Sequence, residues 1–269
     1  MFDVLDMCRS VVFFDLFKLR DAIWYARDNG AHIISTSLGT PVIGATAWFW
    51  KRAVMDAIEA NIILVTAGGQ LTAGNLPLAE VILPASYHNV ITLGAVNKDK
   101  NYWGEGFRGE DIAFSAAGED VCVPQKGEGR DASGPGSGTS FATAFTAGTA
   151  ALWLAHHGRD HLISIAEGRG EHLQDLFCKA VEMSVQKPDG WNEDSQGAGI
   201  VDAQALLMLD PSEVPLRQTR HCKIDITERA PNGEGCLIDE DCATDRCSRA
   251  FECADKLPAG LYCLYHDDC

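Results

Sequence analysis

The most constraining feature of this sequence is a repeated alternation between amphipathic helical patterns and short, continuously apolar runs. Leu16, Leu19, Ile23 and Ala26 recur at helical spacing and Gly30 supplies a stop, which predicts a helix over residues 15–29. A strand over 33–38 follows. Ala53, Val54, Ala57 and Ile58 line one face of a second helix near 50–60, and apolar runs at 62–66 and 90–96 come next. Strands that are apolar along their whole length need cover on both faces, so the alternation implies crossover units and a parallel sheet between helical layers. Ligand sites in such sheets gather at the carboxyl ends of the strands. Ser37-Leu38-Gly39 and Ala67-Gly68-Gly69 occupy two such ends.

Residues 141–156 are apolar on nearly every face and rich in Ala and Gly, which predicts a central helix packed closely on all sides. Ser140 stands at its head. A serine hydroxyl becomes a useful nucleophile only when a base takes its proton and donors stabilise the oxyanion it creates. The amides at a helix start are one such source of donors, and the small residues around Ser140 let a substrate backbone approach. The commoner job of a Ser or Thr in this place is to cap the helix, and from the triplet Gly138-Thr139-Ser140 alone capping is the better reading.

The longer string shifts that balance. Residues 137–154, SGTSFATAFTAGTAALWL, resemble the nucleophile segment of the subtilisin-like serine peptidases, the subtilases. In the same order, NIILVTAGGQ (61–70) is similar to the family's strand and oxyanion turn, and LPASYHNVITLGAV (83–96) to its substrate-side loop and next strand. IAFSAAGEDV (112–121) is similar to the run before the nucleophile, and GAGIVDA (197–203) to the closing strand and helix. Several separated motifs in one order are far more specific than a single short pattern. The resemblance implies an α/β fold with a three-layer parallel sheet and a serine endopeptidase acting on polypeptides. It places the nucleophile at Ser140, the oxyanion amide at Gln70, and the substrate backbone between Ser37, Leu38 and Gly39 on one side and Ala67, Gly68 and Gly69 on the other. Asn75 is the alternative oxyanion donor.

Three departures qualify the resemblance. The family's catalytic Asp and His belong to segments that precede everything matched, and only His32 and His88 come before Ser140, neither followed by Gly-Thr. Asp28-Asn29-Gly30 superficially looks like the family's Asp-x-Gly, yet it ends a helix and reads as a C-cap. Gln70 stands where the family usually carries Asn, and Ala117 and Ala144 replace prolines. This chain alone is therefore expected to be nearly inert, the C-terminal part of a peptidase domain incomplete at its N-terminus. The alternative is a non-catalytic, peptidase-derived binding protein that presents cysteine-rich modules.

Those modules follow from cysteine placement. Cys8, Cys122 and Cys178 are isolated, whereas seven of the ten cysteines lie between Cys222 and Cys269. Gly233-x2-Cys236-x5-Cys242 recurs 27 residues later as Gly260-x2-Cys263-x5-Cys269, a second copy that stops half way. The spacing lacks the C-x2-C pairs of common zinc sites, so disulfides and an oxidising, secreted or extracellular setting are expected. The expected organisation is a partial peptidase domain over 1–209, a linker over 210–232 and a cysteine-rich tail over 233–269 that binds an extracellular partner of unknown identity.

The remaining features set bounds. A formal charge of −16 leaves no basic stripe for phosphates, which argues against nucleic acid and anionic membranes as partners. No apolar run is long enough to span a bilayer, and the patch at 11–17, broken by Asp15, reads as core. Residues 1–6 lack the pattern of a signal peptide, so any export signal is expected upstream of Met1 or is absent. His156, His157 and His161 share helical spacing, but Gly158 interrupts it, and a solvated helix end is the better reading than zinc. No metal and no cofactor are expected.

Overall fold

A computed structural model describes residues 5–8, 11–14, 16–39, 46–70, 72–73, 76–77, 83–87, 90–124, 133–216 and 221–222. The repeat-bearing tail, Asn75 and His88 lie outside the described residues. In chain order the elements begin with β1 (Leu5–Cys8), β2 (Val11–Phe14), α1 (Leu16–Asp28), β3 (Ile33–Thr36), α2 (Thr46–Glu59) and β4 (Ile63–Ala67). Next come β5 (Thr72–Ala73), β6 (Leu76–Pro77), β7 (Ile91–Val96), β8 (Phe114–Ala117), β9 (Val121–Pro124) and β10 (Ser133–Gly136). The helical remainder is α3 (Thr139–His157), α4 (Arg159–Glu167), α5 (Leu173–Ser184), α6 (Glu193–Gln196), α7 (Ala203–Met208) and a 3-10 turn at Pro211–Glu213.

The apolar runs form one parallel sheet in the order β3-β4-β7-β8, with Ile33 opposite Ile63, Val65 opposite Ile91 and Leu93 opposite Phe114. Residues 63–66 and 91–96 are buried throughout, as strands covered on both faces must be. Helix α1 packs on α2 and α2 on β4, while α3 lies across β3, β4, β7 and β8 and α5 contacts β4. The architecture is α/β with a parallel sheet between helical layers.

Each predicted helix forms with small shifts at its ends. Helix α1 stops as expected, because Gly30 takes a left-handed φ of +76° and the Ala31 amide returns to the Ala26 carbonyl at 2.9 Å. Helix α2 begins about a turn earlier than its apolar periodicity suggests. Asp56 joins the two helices, accepting from Trp24 Nε1 at 2.9 Å, Arg27 Nη1 at 3.2 Å and Arg52 Nε at 2.8 Å. The apolar patch at 11–17 divides into β2, antiparallel to β1, and the first turn of α1.

Two findings differ from expectation. Helix α3 is not enclosed on all sides: its buried face carries Ala142, Thr143, Thr146, Ala150 and Trp153, but Phe145 and Leu152 are 51% and 55% exposed. Cys178 is not isolated, because it is bonded to Cys222 across 44 residues of chain. Val214 and Cys222 are buried in the main core, and Arg169 donates to the carbonyls of Ser212 and Val214, both at 2.7 Å. The described part of 210–232 is thus fastened to the large domain. Opening the bond frees a 44-residue loop in the unfolded chain, so reduction, or Cys178→Ala with Cys222→Ala, is expected to cost about 2–4 kcal/mol. Urea unfolding with and without reductant checks this.

Helix α5 carries a buried ionic group. Its N-cap is His172, whose amide donates to Asp175 Oδ2 at 2.9 Å, and Lys179 is paired with Glu171 nearby. Burial pushes the Asp175 carboxyl up to about 6, against the opposing pull of the His172 amide and Lys179. An acid whose folded value is raised holds its proton longer when folded, so its contribution is full below pH 4 and is lost as pH rises through 6. Asp175→Asn is therefore expected to flatten the stability profile between pH 4 and pH 7 by about 2–3 kcal/mol. Unfolding free energies of both proteins across that range check the sign.

Candidate active site

The carboxyl ends of β3 and β4 and the amino end of α3 meet in one place. The chain leaves β4 through Ala67, Gly68 and Gly69 and reaches Gln70, which pairs with Gly106 in a single antiparallel bridge. Gly68 is confined by close packing: a Cβ there would lie 2.6 Å from Ile112 Cδ1 and 3.0 Å from the Leu93 carbonyl oxygen. Gly69 holds a φ of +93°, its carbonyl accepting from the Phe107 amide at 3.3 Å.

Helix α3 begins at Thr139, and Gly138, its N-cap, has no side chain with which to cap it. Neither hydroxyl does so instead. Thr139 is buried and its Oγ1 accepts from the Gly69 amide at 3.1 Å, with the Gly69 carbonyl 3.4 Å away. Ser140, one residue on, is exposed. The first amides of α3 thus keep the partial positive charge of a helix start on the side where Ser140 is exposed.

Gln70 reaches the same turn. A Cβ built on Gly138 would lie 3.8 Å from both Gln70 Oε1 and the Ser140 amide nitrogen, so the Gln70 carboxamide and the Ser140 N–H border one small space. Either end of that carboxamide can face the space, since its O and N exchange by a flip. Ser37 Oγ makes a long contact of 3.4 Å with the Ser140 carbonyl. Leu38 packs beside the buried trio Leu19, Trp50 and Leu83. Of the residues singled out in the sequence, Ser37, Gly69, Gln70 and Ser140 converge, while Leu38, Gly39, Ala67 and Gly68 flank them along the chain.

Three supports of this arrangement escaped sequence reasoning. Thr139 ties the start of α3 to the exit of β4, and its only signal was a hydroxyl beside the exposed serine. Gly118 holds the approach to the serine: its carbonyl accepts from the Gly138 amide at 2.7 Å, and a Cβ there would meet Gly138 O at 2.8 Å and Ala95 Cβ at 2.7 Å. The turn at Tyr102–Phe107 braces the exit of β4, with the Tyr102 hydroxyl donating to the Phe107 carbonyl and the Phe107 amide donating to the Gly69 carbonyl.

Of the described histidines, His32, His156, His157, His161 and His172 stand away from Ser140. His156 lies at the far end of α3, about 24 Å along its axis, and His157 and His161 beyond it. His32 precedes the amino end of β3, roughly 16 Å along the chain from Ser37. His172 caps α5, where the Leu173 amide binds Asn61, the residue that leads into β4 at its amino end. Among the described residues no group of three His, Cys, Asp or Glu is placed to hold a metal ion.

Comparison with known proteins bears on the family and the fold. The family model described as the subtilase family matches residues 15–199. Alkaline elastase YaB of Bacillus sp. (strain YaB) is 30% identical over 169 residues, 58% of this chain and 40% of that protein. The thermophilic serine proteinase of Bacillus sp. (strain AK1) is 35% identical over 147 residues, 55% of this chain and 34% of that protein. Among solved structures, the patellamide maturation protease PatA superposes with a TM-score of 0.57 at 26% identity, covering 72% of this chain and 68% of that one. Fervidolysin from Fervidobacterium pennivorans, at a TM-score of 0.56 and 22% identity, shares the fold. The chain spans about 40% of the length of the first of these relatives.

Proposed function

Because the chain belongs to the subtilase family through residues 15–199, we propose that it supplies the nucleophile and oxyanion half of a serine endopeptidase whose acid and base partners lie outside the matched segment. One observation carries this reading: an exposed serine heads an uncapped helix, with a carboxamide bordering the same space as its amide. In the reaction Ser140 Oγ attacks the peptide carbonyl carbon as a base takes its proton. The C=O pair moves onto oxygen as the Oγ–C bond forms; its return breaks the C–N bond, the amine leaves with the proton, and water then cleaves the acyl ester by the same steps to restore Ser140. The Ser140 N–H and the Gln70 carboxamide donate to the new oxyanion. Ser37-Leu38-Gly39 and Ala67-Gly68-Gly69 pair with the substrate backbone on either side.

The distance of His32, His156, His157, His161 and His172 from Ser140 favours a second reading, in which this chain is a non-catalytic, peptidase-derived scaffold for its cysteine-rich tail. The two readings share a setting: the Cys178–Cys222 bond supports an oxidising, extracellular location, where the substrate is a polypeptide and the tail binds a further partner.

Gln70 tests the first. In protein purified from its source and active on a peptide substrate, Gln70→Ala is expected to lower kcat about 10²- to 10³-fold with little change in KM. Gln70→Asn should recover most of the loss, since a shorter carboxamide still donates. Equal activity in all three proteins would remove Gln70 from the oxyanion site.

A further inference from the structure

A cleft of about 810 Å³ lies at the far end of α3 from Ser140. It is lined by His156 and His157 from the end of α3, His161 from α4, Leu207 and Met208 from α7, and Asp210 just beyond. His157 Nε2 is buried with no hydrogen-bond partner among the described residues, and Met208 leaves 79% of a large apolar side chain open to solvent. Burial holds the His157 imidazole below its usual value, helped by His156 and His161 and opposed by Asp210. The Ser212 amide, donating to Asp210 Oδ1 at 2.8 Å, holds that carboxyl ionised, and α7 brings only uncharged side chains to the cleft. With its imidazoles protonated the cleft therefore sets three positive charges against one negative, beside open apolar surface. That combination suits a ligand carrying both an apolar side chain and clustered carboxylates.

The repeat in the tail has both. Between Cys236 and Cys242 its first copy reads Leu237-Ile238-Asp239-Glu240-Asp241, and between Cys263 and Cys269 its second reads Leu264-Tyr265-His266-Asp267-Asp268. The copies share a leucine after the first cysteine and two acids before the second, and they differ in between. We infer that the histidine-lined cleft is the docking site of residues 237–241, with Leu237 against Leu207 and Met208 and the carboxylates of Asp239, Glu240 and Asp241 on the imidazoles. The tail then folds back on its own domain in mild acid and is released as pH rises through the imidazole range. Tethering and charge select this occupant. Cys222, bonded to Cys178, starts the tail on α5, which packs against the α7 wall of the cleft. The 15 residues from Cys222 to Leu237 span up to about 50 Å, so the loop reaches the cleft at the high effective concentration of an intramolecular ligand. A second copy, with a formal charge of −16, is repelled as a whole. None of this depends on Ser140 being a nucleophile.

Photocrosslinking in the full chain under non-reducing conditions tests the inference. With p-benzoylphenylalanine in place of the exposed Met208, irradiation near pH 5.5 is expected to join position 208 to residues 237–241 of the same chain. The yield should fall about fivefold by pH 8, as the imidazoles lose their protons while the acids stay ionised. His156→Gln with His161→Gln, both at exposed positions, should remove most of that pH dependence. Asp239→Asn with Glu240→Gln and Asp241→Asn, which leaves the cleft itself unaltered, should lower the yield near pH 5.5 by a similar factor. A crosslink between two copies, a crosslink to any other segment, no crosslink, or a yield indifferent to pH or to the acid substitutions would overturn the inference.

Discussion

Ser140→Ala is expected to lower peptide turnover about a millionfold in the complete peptidase, with KM nearly unchanged. The size follows from the role: the covalent step needs an oxygen nucleophile at the head of α3. The hydroxyl beside it, on Thr139, is buried and engaged with Gly69, so it offers no substitute. Residual turnover of about 10³- to 10⁴-fold over water should persist, because the helix amides, Gln70 and the substrate-pairing segments remain. In the isolated chain the same substitution is expected to change little, since none of His32, His156, His157, His161 and His172 lies beside Ser140. Active-site-normalised kcat on a peptide amide, for both proteins purified from the source, checks the loss. A variant that keeps even a tenth of the activity would contradict the assignment.

Gly197→Ala is expected to be the most damaging single-methyl change to the fold. Gly197 holds a φ of +79°, and a Cβ there would lie 2.6 Å from the Ala113 carbonyl oxygen, 2.7 Å from its carbon and 2.8 Å from the Phe114 nitrogen. Those neighbours are backbone at the entry to β8 and cannot swing aside as a side-chain end would. The surrounding bonds fix the segment further: the Ala198 amide donates to Ala113 O at 2.8 Å and Trp191 Nε1 to Gly197 O at 2.9 Å. Left-handed strain and overpacking together give about 3–5 kcal/mol. In a domain of this size that corresponds to a fall in melting temperature of roughly 10 °C. Gly190→Ala is the control, with a similar φ of +77° but open space around it, and should cost only the conformational part. Equal melting temperatures for the two variants would show that the Gly197 contact is not tight.

Much of this was legible before any coordinates. Continuous apolar runs between helical patterns pointed to the parallel sheet, because a strand buried on both faces cannot hide its composition. The place of Ser140 at the head of an apolar helix was legible too, but its exposure was not. Other features depend on meetings between distant residues, which periodicity does not encode. Cys178 finds Cys222, and the Thr139 hydroxyl finds Gly69, across long stretches of chain. Ser133–Gly136 pairs with β9, and Gly136 is needed because Phe141 Cζ would lie 2.7 Å from a Cβ there. The open face of α3 was hidden by the opposite limitation: composition shows that a helix is apolar all round but not which of its neighbours are present.

The account rests on Ser140 being a nucleophile, and covalent modification asks that question directly. Protein purified from its source, treated with a fluorophosphonate and digested, should carry one adduct, on the peptide containing Ser140, with the isolated 269-residue chain modified far more slowly. A preparation that hydrolyses peptides while Ser140 stays unmodified, or carries the adduct on another residue, would contradict it.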